Sequence, residues 1–218
     1  MAVIEPIVYI VDDDQSFLTA TSRLLRVSGF TVKTFLSPGE FLAQCVGDVR
    51  GCVVTDLQMP GLNGLDLQRA LVQTRNPLPL VFLTGHGDIG ASVRAMRCGA
   101  EDFLEKRAPQ EELLDAVRRA LARERREHEA RALQNEREER FRALSVRELE
   151  VLSHVLRGRL NKQIAGDLEI NERTVKMHRA SIMIKLGVGS VVALARLSQD
   201  AGFLERNDAP LPTFPKGK

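Results

Sequence analysis

The sequence predicts two domains of different fold class, a doubly wound α/β domain and then a small all-helical domain, joined by a long helical linker. Three observations support this division. Short β-type runs alternate with amphipathic helical patterns over residues 1–109, a charged stretch without proline or glycine covers 110–144, and four short helical patterns fill 145–200. The chain has 218 residues, which is enough for two modest domains.

The first segment contains five runs typical of β-strands, at 7–11, 31–35, 52–55, 80–84 and 102–104. Helical patterns separate them, and the first of these, over 15–28, ends before Gly29. Five strands alternating with five helices predict a five-stranded parallel sheet that is covered on both faces. In such a sheet the ligand site lies beyond the carboxyl ends of the strands, where the strand order reverses.

Residues 110–144 are dominated by Arg, Glu, Ala and Leu, which are good helix formers. Apolar residues up to Leu121 form a packing stripe, after which charged residues dominate. We therefore expect one helix that leaves the sheet and continues as a charged spacer, with a break near His128 or Asn135 as the alternative. Nine basic and nine acidic residues balance here, which disfavours a basic arm for nucleic acid.

The third segment carries the cap signals of a small helical domain. Ser145 and Glu148 have the spacing of a capping box, and Gly158 ends the helix that follows. A second helix begins at Asn161 and a third covers about 172–186, which is the size and spacing of a helix-turn-helix. A final helix near 190–199 is apolar on more than one face, and this surplus indicates a dimer contact.

Charge and composition limit the classes of function. Residues 1–109 carry ten basic and twelve acidic side chains, whereas 145–218 carry twelve and eight, so the two domains suit different partners. No apolar run is long enough to span a membrane, no secretion signal is evident, and three scattered cysteines fit neither a disulfide framework nor a zinc site. We therefore expect a cytoplasmic protein with no membrane partner.

The ends of four predicted strands carry side chains suited to phosphate chemistry. They are three consecutive aspartates, a fourth aspartate, a hydroxyl and an ammonium: Asp12, Asp13, Asp14, Asp56, Thr84 and Lys106. Two carboxylates about 4 Å apart repel by roughly 4 kcal/mol at an effective dielectric constant near 20, so such a cluster needs a cation. Mg²⁺ suits it, because that ion takes oxygen ligands and bridges to phosphate oxygens.

An aspartate that follows a strand is also a common helix N-cap. Asp14 is well placed to cap the helix after the first strand, and for any single aspartate both interpretations stay open. Capping does not explain Asp56, Thr84 and Lys106 together, so the set as a whole favours a functional site.

Four segments of the first domain share their pattern with a known family: VYIVDDD, VVTDLQMPGLNGLDL, LVFLTGHGDI and GAEDFLEK. Through them, residues 6 to about 121 resemble the CheY-like receiver domain of bacterial two-component response regulators, a flavodoxin-like fold. The resemblance implies that Asp56 is the phosphoacceptor. It also implies that Asp12, Asp13, Asp56 and the Gln58 backbone carbonyl form a Mg²⁺ pocket.

The same resemblance makes Thr84 and Phe103 the switch pair and Lys106 the partner of the phosphoryl group. One residue departs from the family, which usually has proline after the lysine, often with a cis bond; here Arg107 follows. A cis peptide without proline costs about 2.5 to 4 kcal/mol, so we expect a trans bond and a slightly altered loop.

The third helix of the second domain has two contrasting faces at 100° per residue. The inward face carries Val175, Ile182 and Leu186, and the opposite face carries Lys176, Met177, Ala180 and Ile184. The stretch LSVRELEVLSHVLRGRLNKQIAGDLEINERTVKMHRASIMIKLGV resembles the LuxR and FixJ type of DNA-binding output domain. The resemblance implies that base contacts in the major groove are made by Lys176, Met177 and Ala180. It also implies phosphate contacts by Asn161, Lys162, Thr174 and Arg179.

Together these features predict a phosphorylation-gated transcription regulator that is not an enzyme. A sensor histidine kinase phosphorylates Asp56, and homodimers then bind double-stranded DNA. The predicted parts are a receiver domain at 1–121, a linker at 122–143, a LuxR-type domain at 144–206 and a disordered tail at 207–218.

Two alternatives come from other classes of protein. Asp12 and Asp14 have the spacing of the nucleophile pair in haloacid-dehalogenase-type phosphatases, which would make the chain a phosphohydrolase. We find neither the second acidic motif nor the cap domain of such enzymes. The other alternative is a receiver locked in one state, with an output domain that serves only as a phosphorylation-independent interaction module.

Overall fold

The computed structural model describes residues 5–45, 49–74, 77–85 and 89–201. They form two compact units, one that extends to Glu129 and one that starts at Ala130. The tail predicted at 207–218 lies outside the described residues.

The first unit contains a five-stranded parallel sheet, as predicted. Its strands are β1 (Ile7–Val11), β2 (Thr31–Phe35), β3 (Gly51–Thr55), β4 (Leu80–Thr84) and β5 (Asp102–Glu105). In space their order is β2-β1-β3-β4-β5, so the chain reverses its direction across the sheet between β1 and β3. The switch point, where ligands of such sheets bind, therefore lies at the carboxyl ends of β1 and β3.

The bounds of two strands differ from the prediction by one residue. β3 starts at Gly51 and β5 ends at Glu105. Gly51 has a φ of 133°, and a Cβ there would lie 1.8 Å from the Ile7 carbonyl oxygen. Glycine usually weakens a strand, which is why the sequence pattern excluded this position. Here it allows the backbones of β1 and β3 to approach each other.

Five helices accompany the sheet: α1 (Gln15–Val27), α2 (Pro38–Gln44), α3 (Gly64–Val72), α4 (Ile89–Arg97) and α5 (Gln110–Arg142). Alternate residues of β1 point to opposite faces, so Tyr9 and Val11 join one core while Val8 and Ile10 join the other. Helices on the two faces add to those cores, the first with Phe41, Leu67 and Ala95 and the second with Leu18, Leu25 and Val117. Both faces are covered, which confirms the doubly wound prediction.

Helix α5 runs without interruption over Gln110–Arg142, so the alternative of a break near His128 or Asn135 is wrong. Its packing in the first unit continues beyond the apolar stripe. The Glu124 carboxylate, only 3% exposed, accepts hydrogen bonds from the Arg50 guanidinium at 3.0 and 3.1 Å. Removing one partner of such a buried pair leaves an uncompensated charge, so this contact fixes where the helix lies on the sheet.

The second unit is all-helical and contains the predicted helix-turn-helix. Its helices are α6 (Val146–Leu156), α7 (Asn161–Asp167), α8 (Glu172–Leu186) and α9 (Val191–Asp200). They enclose one core with the end of α5, formed by Phe141, Leu152, Ile164, Val175, Ile182, Leu186 and Leu194. Within the described ranges no single helix is long and apolar enough to cross a membrane; α8 and α9 meet those limits only as a pair bent by 57°.

A buried carboxylate fastens α6 to α8. Glu148 accepts from the Ser145 N–H at 2.6 Å, which completes the predicted capping box. It also accepts from Ser181 Oγ at 2.6 Å and from Lys185 Nζ at 2.7 Å. Burial acts to raise the pKa of Glu148, but the hydrogen bonds from Lys185, Ser181 and Ser145 outweigh it and lower this pKa to about 2.

This network predicts a pH-dependent contribution to stability. A lowered pKa stabilises the fold fully above the ordinary value of 4.5, and that stabilisation is lost as pH falls toward 2. Glu148→Gln should therefore reduce the free energy of unfolding of the second unit by about 2 kcal/mol at pH 6, and the deficit should shrink below pH 4.5. Urea unfolding measures this deficit. The control is Glu150→Gln, which changes a half-buried pair with Arg147 and leaves the Glu148 network in place. A deficit independent of pH would show that the charge of Glu148 is not what stabilises the unit.

Candidate functional site

Three aspartates meet at the switch point of the sheet. Asp12 follows β1 and is 1% exposed, Asp56 follows β3 and is 8% exposed, and Asp13 is exposed. The Asp56 N–H donates to the Val11 carbonyl at 2.9 Å, which continues the ladder of β1 and β3 by one residue. Each of the three aspartates offers a carboxylate oxygen, and these oxygens lie within 4.8 Å of one another.

Lys106 supplies the positive charge inside this cluster. Its Nζ lies 2.6 Å from Asp12 Oδ2 and 2.8 Å from Asp56 Oδ2. Its backbone N–H donates to the Thr84 carbonyl at 2.7 Å, which ties the residue after β5 to the end of β4. Burial acts to lower the pKa of Lys106, but hydrogen bonds to Asp12 and Asp56 raise it, so the side chain stays an ammonium.

Backbone donors hold the other oxygens of the two buried carboxylates. Asp56 Oδ1 accepts from the N–H groups of Leu57 at 2.6 Å and Gln58 at 3.3 Å, and Asp12 Oδ1 accepts from the Asp14 N–H at 2.9 Å. Burial raises the pKa of Asp12, although hydrogen bonds from Lys106 and Asp14 act in the opposite direction. The carboxylates are thus oriented before any ligand binds.

Asp14 has the capping role that the sequence predicted. Its side chain accepts from the N–H groups of Ser16 at 2.8 Å and Phe17 at 3.2 Å, at the start of α1. One aspartate of the triplet therefore belongs to the helix, while Asp12 and Asp13 belong to the acidic cluster.

Thr84 and Phe103 lie where the sequence placed them, at the end of β4 and within β5. Thr84 is 1% exposed, and the half-buried Phe103 ring lies 5.6 Å from the Phe82 ring. The bond between Lys106 and Arg107 is trans, as predicted. The roles of Thr84 and Phe103 as a switch pair stay predictions.

The proposed DNA contacts divide between exposed residues and residues that are bonded within the second unit. Lys162, Lys176, Met177 and Ala180 are exposed. The half-buried Arg179 donates to Asn161 Oδ1 at 2.9 Å, and the Thr174 hydroxyl donates to Asn171 Oδ1 at 2.9 Å at the start of α8. The Arg179 bond joins α8 to α7, and the Thr174 bond stabilises the first turn of α8.

The chain matches known proteins over most of its length. A family model described as the response regulator receiver domain matches residues 8–118, and one described as bacterial regulatory proteins of the luxR family matches 142–198. The response regulator protein TodT of Pseudomonas putida is 43% identical over 88% of this chain and 85% of its own length. The transcriptional regulatory protein FixJ of Azorhizobium caulinodans is 38% identical over 93% of this chain and 96% of its own.

A solved structure agrees with these matches. The response regulator StyR is 43% identical, covers 90% of this chain and 99% of its own, and gives a TM-score of 0.82. The chain belongs to the response regulators with a LuxR-type output domain. It is therefore a transcriptional regulator of a two-component system, and no comparison supports the phosphohydrolase alternative.

Two residues of this response regulator shape the acidic cluster and were missed by the sequence analysis. The half-buried Phe17 ring lies 4.4 Å from Lys106 Nζ, measured to the ring centroid, which gives the ammonium a favourable electrostatic contact. At Gly64, the first residue of α3, a Cβ would lie 2.3 Å from the Asp56 carbonyl oxygen and 2.9 Å from the Phe82 ring. No local sequence pattern indicates the contact of Phe17 with Lys106. The position of Gly64 at the start of a predicted helix was a sequence signal of close backbone packing.

Gly64 allows a substitution test with a matched control. Gly64→Ala should destabilise the receiver domain by about 1–3 kcal/mol, because α3 or the segment after β3 has to move. Gly39→Ala is the control, since Gly39 also lies in the first turn of a helix and its Cβ would meet only Ser37 Oγ, at 4.0 Å. Urea unfolding of both variants measures the difference. Equal stability of the two would mean that α3 does not limit the position of Asp56.

Proposed function

We propose that this response regulator accepts a phosphoryl group on Asp56 from a sensor histidine kinase. The observation that carries the proposal is the position of Asp56 at the switch point, 8% exposed and paired with Lys106 at 2.8 Å. Its second oxygen accepts hydrogen bonds from backbone N–H groups, which favour one orientation of the carboxylate. It is therefore oriented as a nucleophile would have to be.

The acidic cluster fits a magnesium ion. Three carboxylates with oxygens within 4.8 Å of one another provide hard oxygen donors, and Asp12, Asp13, Asp56 and the Gln58 backbone carbonyl are the proposed ligands. When bound, the ion neutralises the charge that the phosphoryl oxygens bring into the pocket. Lys106 now occupies an oxygen of Asp12, so the ammonium has to give up part of that contact.

The transfer itself exchanges one bond for another. An Asp56 carboxylate oxygen attacks the phosphorus of the phosphohistidine, the new P–O bond forms, and the P–N bond breaks to release the imidazole. Lys106 can then pair with a phosphoryl oxygen in place of the free carboxylate. The Thr84 hydroxyl and the Phe103 ring respond to that oxygen as the proposed switch pair, since they lie on the two neighbouring strands β4 and β5.

The output of the switch is DNA binding by dimers. The second unit places Lys176, Met177 and Ala180 on the exposed face of α8, as a helix that reads a major groove requires. The proposed phosphate contacts are Asn161, Lys162, Thr174 and Arg179, on α7 and α8. The proposed dimer contact is the exposed pair Val191 and Val192 of α9. Moving such a switch from 1:99 to 99:1 takes about 5.5 kcal/mol, so phosphorylation must act through several new contacts.

The remaining assignments form part of the same proposal. The chain acts in the cytoplasm as a regulator and not as an enzyme. Its receiver domain is assigned to 1–121, its linker to 122–143, its DNA-binding domain to 144–206 and its tail to 207–218. The burial of Glu124 against Arg50 favours extending the receiver packing into the first turn of that linker.

Phosphorylation of Asp56 is tested directly with acetyl phosphate and Mg²⁺. One phosphoryl group should be gained by the wild-type chain, and none by Asp56→Asn, because the amide is not a nucleophile. Asp13→Ala should require a higher Mg²⁺ concentration for the same labelling, because it removes one hard ligand. Asp14→Asn is the control and should be labelled normally, since Asn caps a helix as well as Asp does. Intact-protein mass spectrometry gives the readout, and labelling that persists in Asp56→Asn would contradict the assignment.

The DNA assignments separate into two classes by salt dependence. Lys162→Ala should weaken binding to all sequences alike and reduce the magnitude of the salt slope by about one unit. Lys176→Ala should instead cost about 1 to 3 kcal/mol on the preferred site and relax discrimination there. Fluorescence anisotropy at several salt concentrations measures both. If the two variants exchange these behaviours, α8 meets the groove with a different face.

A further inference from the structure

The exposed face of α8 carries large apolar side chains in addition to the lysine that is proposed to contact bases. At 100° per residue, one face of the helix is formed by Arg173, Lys176, Met177, Ala180 and Ile184, opposite the buried Val175, Ile182 and Leu186. Met177 is 63% exposed and Ile184 is 80% exposed. Together with Ala180 these two residues form a continuous apolar strip at the spacing i, i+3, i+7.

The charges around this strip favour a negatively charged partner. Arg173 and Lys176 are exposed on the same face of α8, and that face contains no acidic residue. Cations that flank an apolar strip suit a polyanion whose own surface carries apolar groups. In the major groove of DNA, phosphates line both edges, and the methyl group of thymine is the apolar group on the floor.

We propose that Met177, Ala180 and Ile184 form a strip that reads thymine methyl groups, so that the preferred operator is defined largely by the positions of its thymines. The proposal rests on the proposed function, since it needs α8 in the major groove. From Met177 to Ile184 the helix rises about 10 Å, at about 1.5 Å per residue. Because a helix in the major groove is inclined to the DNA axis, that length covers at most about three base steps of about 3.4 Å. The strip therefore reads thymines no more than about three base pairs apart.

The size of the effect follows from the area that one methyl group buries. A buried methyl or methylene group contributes enough to change affinity about fourfold. Replacing thymine by uracil removes this methyl and leaves every hydrogen-bonding group of the base in place. A duplex with uracil at one position therefore isolates the contact that the strip makes there.

The test uses the full chain, activated with beryllofluoride and Mg²⁺. Preferred duplexes are first selected from a random library, and each thymine of the best site is then replaced singly by uracil. Anisotropy gives the affinity of wild type, Met177→Ala and Ile184→Ala for every duplex. Val146→Ala is the matched control, because Val146 is 70% exposed but lies on α6.

We expect two uracil positions, no more than about three base pairs apart, at which wild type binds about fourfold more weakly. Ile184→Ala should lose affinity for the thymine duplex and become insensitive at one of these positions, and Met177→Ala at the other, whereas Val146→Ala should respond like wild type. Ile184→Val, which keeps a branched side chain, should restore part of the sensitivity.

Several results would overturn the proposal, and they differ from a failure of the proposed function. If wild type is insensitive to uracil at every position, or if Ile184→Ala keeps the full wild-type pattern, the strip reads no methyl group. If Ile184→Ala keeps that pattern but loses promoter activation, the strip contacts a protein. If the library yields no preferred duplex at all, α8 does not read bases, and the DNA-binding proposal fails together with this one.

Discussion

Mutual repulsion of carboxylates at the carboxyl ends of β1 and β3 is the constraint on which the first unit depends. Asp12 and Asp56 are both buried, and two carboxylates about 4 Å apart repel each other by several kcal/mol in a partly desolvated site. Lys106 offsets this repulsion by contacting both carboxylates, and backbone N–H groups orient their remaining oxygens. These lysine contacts are the ones that the proposed Mg²⁺ ion and phosphoryl group would rearrange.

The strand order and packing of the receiver domain bring these groups together. The order β2-β1-β3-β4-β5 places the ends of β1 and β3 side by side and brings Thr84 and Lys106 in from the next two strands. Alternating side chains fill a core on each face of the sheet, so the strand ends do not drift. Gly64 lets α3 start in contact with the Asp56 backbone.

Local patterns predicted much of this arrangement. Strand runs, helix caps and the glycine stop after α1 are encoded by neighbouring residues, and the rule for parallel sheets then placed Asp12, Asp56, Thr84 and Lys106 at one edge. Beyond this cluster, contacts between residues distant in sequence were not predicted. Phe17 beside Lys106, Glu124 against Arg50 and the Arg179 bond to Asn161 depend on how whole elements pack, which no local period reports.

The most direct test is whether Lys106 and Mg²⁺ compete for the oxygens of Asp12, as proposed above. Unfolding by urea, with and without Mg²⁺, should be compared for wild type and Lys106→Met. Without Mg²⁺ the variant should be less stable, because the carboxylates lose their cation. Added Mg²⁺ should then stabilise the variant more than wild type, because no ammonium has to give up its contact with Asp12 when the ion binds. Equal stabilisation of the two proteins by Mg²⁺ would contradict the account, since it would mean that Lys106 and the ion do not compete for Asp12.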